Sequence, residues 1–203
     1  MKNPIHTPPA GRVLFIADTH WGHAGSIAHT ARPFASVAEM DTAMIANWNA
    51  VVRPGDTVYH LGDFAMGASA DKCAEIFAAL RGRKHLLVGN HDKSHVTGLQ
   101  WESVSERVTV FTGGHRIVCD HYPLRAWNGS WRGALHLHGH THGSLPGTSQ
   151  SLDVGVDCWG FRPVGLDEIL LRMAATPEQP EERRRVAERE GKAKREAAAA
   201  GEA

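Results

Sequence analysis

Five short apolar runs in this chain stop abruptly on aspartate, asparagine or histidine. They are Arg12–Ala17 before Asp18-Thr19-His20, Thr57–Leu61 before Gly62-Asp63, and His85–Val88 before Gly89-Asn90-His91-Asp92. Arg116–Asp120 before His121 and Ala134–His138 before Gly139-His140-Thr141-His142 complete the set. Runs of this length, rich in Val, Ile, Leu and Phe, are buried strands. Between the first three lie helical patterns. Ser36-Val37-Ala38-Glu39 is a capping box, and Met40, Met44, Trp48 and Val51 follow it as one core-facing stripe. Ser69 caps a second helix through Cys73, Ile76, Phe77 and Leu80, with Gly82 as its stop. Strand and helix in alternation predict an α/β fold with largely parallel strands. Further on, a strand is expected near Val108–Phe111, a last alternating segment over Ser151–Asp157, and a closing helix over Leu166–Met173.

In such sheets the loops beyond the carboxyl ends of the strands gather into one crevice. Here those loops deliver only Asp, Asn and His. Asp18 and His20 stand at i and i+2, so both side chains leave an extended backbone on one side, roughly 6.5 Å apart. His136, His138, His140 and His142 repeat that spacing, and two such imidazoles suit one metal or two neighbouring ones. His23 reads as a further ligand, a phosphate-facing donor or a plain loop residue. Carboxylates and imidazoles buried without partners are costly, and a dinuclear metal centre is the compensation that fits their types.

Composition narrows the class. Histidine, at 14 residues, is the outlier, whereas Lys+Arg and Asp+Glu are both 22. That balance gives no electrostatic case for long nucleic acid or a membrane surface as partner. Three widely spaced cysteines and no membrane-spanning stretch suggest a reduced, cytoplasmic setting. Residues 1–11 read as an N-terminal arm, 12–175 as the domain and 176–203 as a charged tail. The tail's Glu181/Arg185 and Glu190/Lys194 pairs have helical spacing, each worth about 0.2–0.5 kcal/mol. An exposed, partly helical appendage is expected.

In order, Asp-x-His, Gly-Asp, Gly-Asn-His-Asp, a lone His and Gly-His-x-His resemble the signature of calcineurin-like metallophosphoesterases over Val13 to about Asp157. Asn47-Trp48-Asn49, Val58–Phe64 and His121-Tyr122-Pro123-Leu124 resemble one bacterial and phage branch of small stand-alone phosphoesterases. The resemblance implies a four-layer α/β/β/α sandwich with two mixed sheets. It implies Asp18, His20 and His142 on a first metal, Asp63 bridging, and Asn90, His121 and His140 on a second. His91 would act at the leaving group, with Asp92 orienting it, and His136 and His138 remain strand residues. Mn, Fe, Zn, Co or Ni suit nitrogen and oxygen ligands without thiolate. Protein phosphatases and diadenosine tetraphosphate hydrolases of the superfamily carry arginines where this chain has Phe64-Ala65-Met66 and Asp92-Lys93; the lipid A precursor pyrophosphatases lack the equivalent of His91. A small phosphodiester or phosphomonoester is the implied substrate, with His23, Asn90, Arg32, Arg125 and Trp127 as candidate contacts. A non-catalytic protein-binding scaffold and an oligonucleotide nuclease are the competing readings.

Overall fold

A computed structural model describes residues 3–9, 11–181, 183–185 and 187–192, and between residues 5 and 174 of these it holds ten strands and five α-helices. The strands are β1 (Ile5–His6), β2 (Val13–Ile16), β3 (Thr57–His60), β4 (Arg83–Leu87) and β5 (Ser103–Ser105), then β6 (Arg107–Thr112), β7 (His115–Asp120), β8 (Leu135–His138), β9 (Ser151–Asp153) and β10 (Val164–Gly165). The helices are α1 (Ala24–His29), α2 (Val37–Val51), α3 (Ala70–Ala79), α4 (Ser94–Thr97) and α5 (Leu166–Ala174).

Both sheets are mixed and five-stranded, as the resemblance implied. One has the order β10-β2-β3-β4-β5 and the other β1-β6-β7-β8-β9. In the β2 sheet, β2 to β5 are parallel and β10 runs against β2. In the β7 sheet only the β6–β7 hairpin is antiparallel.

Alternation sorts side chains between two cores. Phe15, Tyr59, Leu61, Leu87, Ile117, Cys119 and Leu137 fill the space between the sheets, where Ile169 and Met173 of α5 join them. Leu14, Ile16, Val58 and Leu86 face the other way, onto Met40, Met44 and Trp48 of α2 and Cys73 and Ile76 of α3. The helices begin as their sequences dictate. Ser36 Oγ accepts the Glu39 N–H while Glu39 reaches back to Ala35 N, and Ser69 Oγ accepts Lys72 N. The outer face of the β7 sheet carries the 122–134 loop, with Trp127 and Leu124 packed on Val118. The Glu178 carbonyl accepts the Ser149 N–H at 2.7 Å, which holds the start of the tail there.

Three local features differ from expectation. The segment Ser151–Asp157 is not one strand: Asp153 Oδ1 takes the Gly155 N–H at 2.7 Å, and the chain turns into a 3-10 turn at Val156–Cys158. Ile5–His6 of the N-terminal arm pairs in parallel with Thr109–Val110, so the arm supplies an edge strand. Glu181 pairs with Arg125 as well as with Arg185. Met1, Lys2 and Ala10 of the arm, and Lys194 with its expected partner contact, lie outside the described residues. Among the described residues no helix is long and apolar enough to cross a membrane.

Candidate metal centre

The strand order brings the carboxyl ends of β2, β3, β4, β7 and β8 to one rim, and the polar residues that follow them converge. Donor atoms of Asp18, His20 and His142 lie within 4.8 Å of one another, and so do those of Asp18, Asp63 and His121. Asp18 is common to both groups, and Asp63 Oδ2 lies 3.6 Å from His20 Nε2, 3.6 Å from His121 Nε2 and 3.9 Å from His91 Nε2. Asn90 Oδ1 lies 2.9 Å from His121 Nε2 and 3.0 Å from His140 Nδ1. All seven expected ligands are therefore gathered on one rim.

Behind them a second set of bonds fixes their orientation. Nδ1 of His121 donates to the Leu61 carbonyl at 2.8 Å, which turns Nε2 into the site. Nδ1 of His142 meets Asp157 Oδ2 at 2.8 Å, the carboxylate–histidine pairing that aims a metal-ligating ring. Asp157 is itself gripped by Arg32 through Nε at 2.8 Å and Nη2 at 3.0 Å, while the same guanidinium donates to the carbonyls of Asp18 and Thr19. Asp153 Oδ2 accepts from Thr141 Oγ1 and Gly143 N, clamping the loop that carries His140 and His142. Thr19 Oγ1 donates to the Phe64 carbonyl and accepts from His60 Nε2, tying the β2 loop to the β3 loop.

The backbone is strained where these side chains leave it. Asp18, His20, Asp63, His140 and His142 all have φ between 48° and 70°, a region that non-glycine residues rarely adopt. Among the described residues only Ala31 and Phe161 share it without being expected ligands. Strain concentrated on the functional side chains marks a preorganised site. Glycine appears instead where two loops touch: a Cβ on Gly89 would fall 2.3 Å from Asp63 Oδ1.

The residues fit divalent cations. With the His121 proton committed to Leu61, its Nε2 lone pair faces the Asn90 oxygen at 2.9 Å. Two acceptors that close are reconciled by a cation between them. Asp18 is fully buried, and burial, then Asp153 and Asp63, push its carboxyl well above the usual range. A bound cation would return it to the ionised form. Burial first, and then His142 and Arg32, depress His20 to about 2, leaving a neutral ring as a ligand requires. Asp18, His20 and His142 would hold one ion, Asn90, His121 and His140 the other, and Asp63 would serve both.

Not every expected site residue stands as expected. Asp92 was expected to orient His91; its oxygens instead accept the N–H groups of Asp63, Phe64 and Gly89, binding the β3 and β4 turns together. The Arg32 side chain is fully buried and spent on Asp157 and two carbonyls, so it does not face a substrate. Trp127 is buried under its own loop, donating to the Ala134 carbonyl at 2.8 Å. Arg125 is exposed on the outer side, paired with Glu181. His91 stays at the rim with its side chain about a third open, and its N–H holds Asp63 Oδ1 at 2.9 Å. His23 precedes α1 with its ring 5.9 Å from that of His20, and burial lowers its pKa. His136 is a strand residue that ties β8 to its surroundings, since Nδ1 donates to the Val118 carbonyl and Nε2 accepts the Leu124 N–H. His138, also in the strand, meets the Gly139 carbonyl.

Sequence reasoning missed Asp153, Asp157 and Tyr122. The two aspartates lay inside a segment read only as alternating, and tertiary contacts alone give them their roles. Tyr122, 45% exposed, sets its ring edge-on to those of His140 and His121 at 4.7 and 4.9 Å.

Comparison with known proteins follows the same lines. Residues 11–159 match the family described as calcineurin-like phosphoesterase. An uncharacterized protein of Methanocaldococcus jannaschii is 32% identical over 168 residues, covering 78% of this chain and 89% of its own. The gene 66 protein of Mycobacterium phage L5 is 31% identical over 189 residues, covering 76% and 90% respectively. A crystal structure of a protein of unknown function from Aquifex aeolicus superposes with a TM-score of 0.62 at 24% identity, over 78% of this chain and 97% of that one.

Proposed function

The chain belongs to the calcineurin-like phosphoesterases, a family of metal-dependent phosphoester hydrolases, and from that premise we propose that it hydrolyses a small phosphodiester or phosphomonoester at a dinuclear centre. The observation that carries this reading is the pair of adjoining donor groups, Asp18–His20–His142 and Asp18–Asp63–His121, with Asp63 Oδ2 3.6 Å from both His20 Nε2 and His121 Nε2. Two divalent ions held there would acidify a water nucleophile and neutralise phosphoryl oxygens. Mn, Fe, Zn, Co and Ni all suit the donors.

The chain's own residues supply the rest. Asp18 and Asp63 bring the negative charge that offsets the cations, while neutral Asn90 limits repulsion of an anionic phosphate. His91, at the rim with about a third of its side chain open, would give a proton to the leaving oxygen, a contribution of typically 10²–10⁴-fold. The bonds from Asp157, Leu61 and Asp153 keep the ligand rings and loops in place, so little rearrangement is needed as charge develops.

The test is hydrolysis of bis(p-nitrophenyl) phosphate and p-nitrophenyl phosphate by purified protein with Mn. At least one ester should turn over, and His91→Ala should lower kcat by about 10²–10⁴ while metal content persists. Protein that binds no transition metal and cleaves neither ester would overturn the proposal.

A further inference from the structure

Two cavities continue from the metal centre around the edge of the β7 sheet, and they share Asn3 and Arg107. The nearer one, about 630 Å³, begins at Asn90 and Tyr122 and runs past Val88 and Pro4 to Glu106, Asp120 and Arg107. The farther one, about 700 Å³, lies over Thr109 and Val118 beneath Trp127 and Asn128, with Arg107 and Arg116 among its walls. Such volumes are those of small-molecule sites.

Their charges differ in a way that selects an occupant. In the nearer cavity Glu106 and Asp120 outweigh Arg107, which holds Asp120 Oδ2 through Nε at 2.5 Å. That stretch repels phosphate and offers acceptors for hydroxyl or amino groups, beside the half-exposed ring of Tyr122. In the farther cavity no lining residue among those described is acidic. Arg116 projects into it from β7 opposite Phe111, four residues along from the Arg107–Asp120 pair and so roughly 14 Å away along the strand. Its Nε is buried and, among the described residues, has no hydrogen-bond partner. A permanently charged guanidinium whose Nε finds no acceptor in the protein, on a residue that lines this cavity, favours an anion there.

We propose that the joined cavities receive the far end of the substrate: a phosphodiester bearing a second phosphate beyond a neutral polar linker, with its scissile phosphate at Asp18 and Asp63 and its distal phosphate on Arg116. The inference rests on the reaction proposed above and narrows its substrate to an extended, doubly anionic diester. Tyr122 lies along the linker, and Asn128 stands over the distal phosphate.

p-Nitrophenyl phosphodiesters of penta(ethylene glycol), a neutral polar linker long enough to span the two sites, ending in a hydroxyl or in a phosphate and titrated calorimetrically into Mn-supplemented His91→Ala protein, test it. The phosphorylated form should bind at least tenfold tighter than the unphosphorylated one. Arg116→Met in that background should reduce the gain to under twofold, Arg116→Lys should restore part of it, and Asn128→Asp, a carboxylate on an exposed loop, should abolish it too. In the otherwise unsubstituted enzyme, the Arg116 and Asn128 substitutions should leave bis(p-nitrophenyl) phosphate hydrolysis within twofold. No gain from the terminal phosphate, a gain that survives both Arg116→Met and Asn128→Asp, or a parallel fall in small-ester hydrolysis would overturn the subsite. If the gain is present and depends on Arg116 while no ester is cleaved, the subsite stands and the reaction reading falls.

Discussion

At the scale of single residues, the site depends on side chains that touch no expected substrate position. Asp157 is the clearest. Burial would raise its carboxyl, but hydrogen bonds from His142 and Arg32 hold it at about 2. A carboxylate depressed below its unfolded value of about 3.9 stabilises the fold above that pH, and the stabilisation fades as pH falls from roughly 4 towards 2. Asp157→Asn removes the partner of a guanidinium with no exposed surface, a loss that costs about 3–5 kcal/mol when a buried pair is broken. It also frees the His142 ring, for which a loss of about 10–100-fold in metal affinity is expected. Urea unfolding and a metal-competition titration check the two effects separately. Unchanged metal affinity would show that His142 is oriented by its loop alone.

At the scale of elements, local rules were enough wherever an element carries its own signal. Ser36 and Ser69 begin their helices as the capping pattern requires, and Ser36→Ala should cost about 1 kcal/mol in thermal or urea unfolding. Long apolar runs gave β2, β3, β4, β7 and β8 and, through their polar ends, the side chains that converge at the rim. Edge strands did not announce themselves. Ser103–Ser105, Ile5–His6 and Val164–Gly165 exist because a neighbour offers backbone partners, and two or three residues are too few for a periodicity to show. Asp92 is the corresponding case for a turn. Its place in Gly-Asn-His-Asp suggested a partner for His91, whereas its three backbone contacts join loops that are 28 or 29 residues apart in sequence at two of the three. Asp92→Ala should therefore lower stability as well as rate, and near-normal unfolding with a selective loss of kcat would restore the orienting role.

At the scale of the whole molecule, buried histidines set the acid limit. Burial first of all depresses both His60 and His136 to about 3. The unfolded chain takes up protons on these rings below about 6.5 while the folded chain does not, so each costs up to about 1.4 kcal/mol of stability per pH unit. Together they remove roughly 3 kcal/mol per unit as pH falls from about 6 towards 4, against a typical total of about 5–15 kcal/mol. Cooperative unfolding near pH 5, followed by circular dichroism, is the expected result; a fold intact at pH 4 would contradict it. Metal removal acts in the same direction. An ion present at a thousandfold excess over its Kd contributes about 4 kcal/mol, so chelation should lower the Tm at neutral pH. The five strained positions expected to ligate metal have a consequence for descent. Each is a place where glycine would sit more comfortably than the working residue, so selection for catalysis holds the chain away from a more stable sequence. A lineage that stops needing the reaction should drift to glycine or asparagine at positions 18, 20, 63, 140 and 142, and that substitution pattern would record the loss of the enzyme more clearly than random decay.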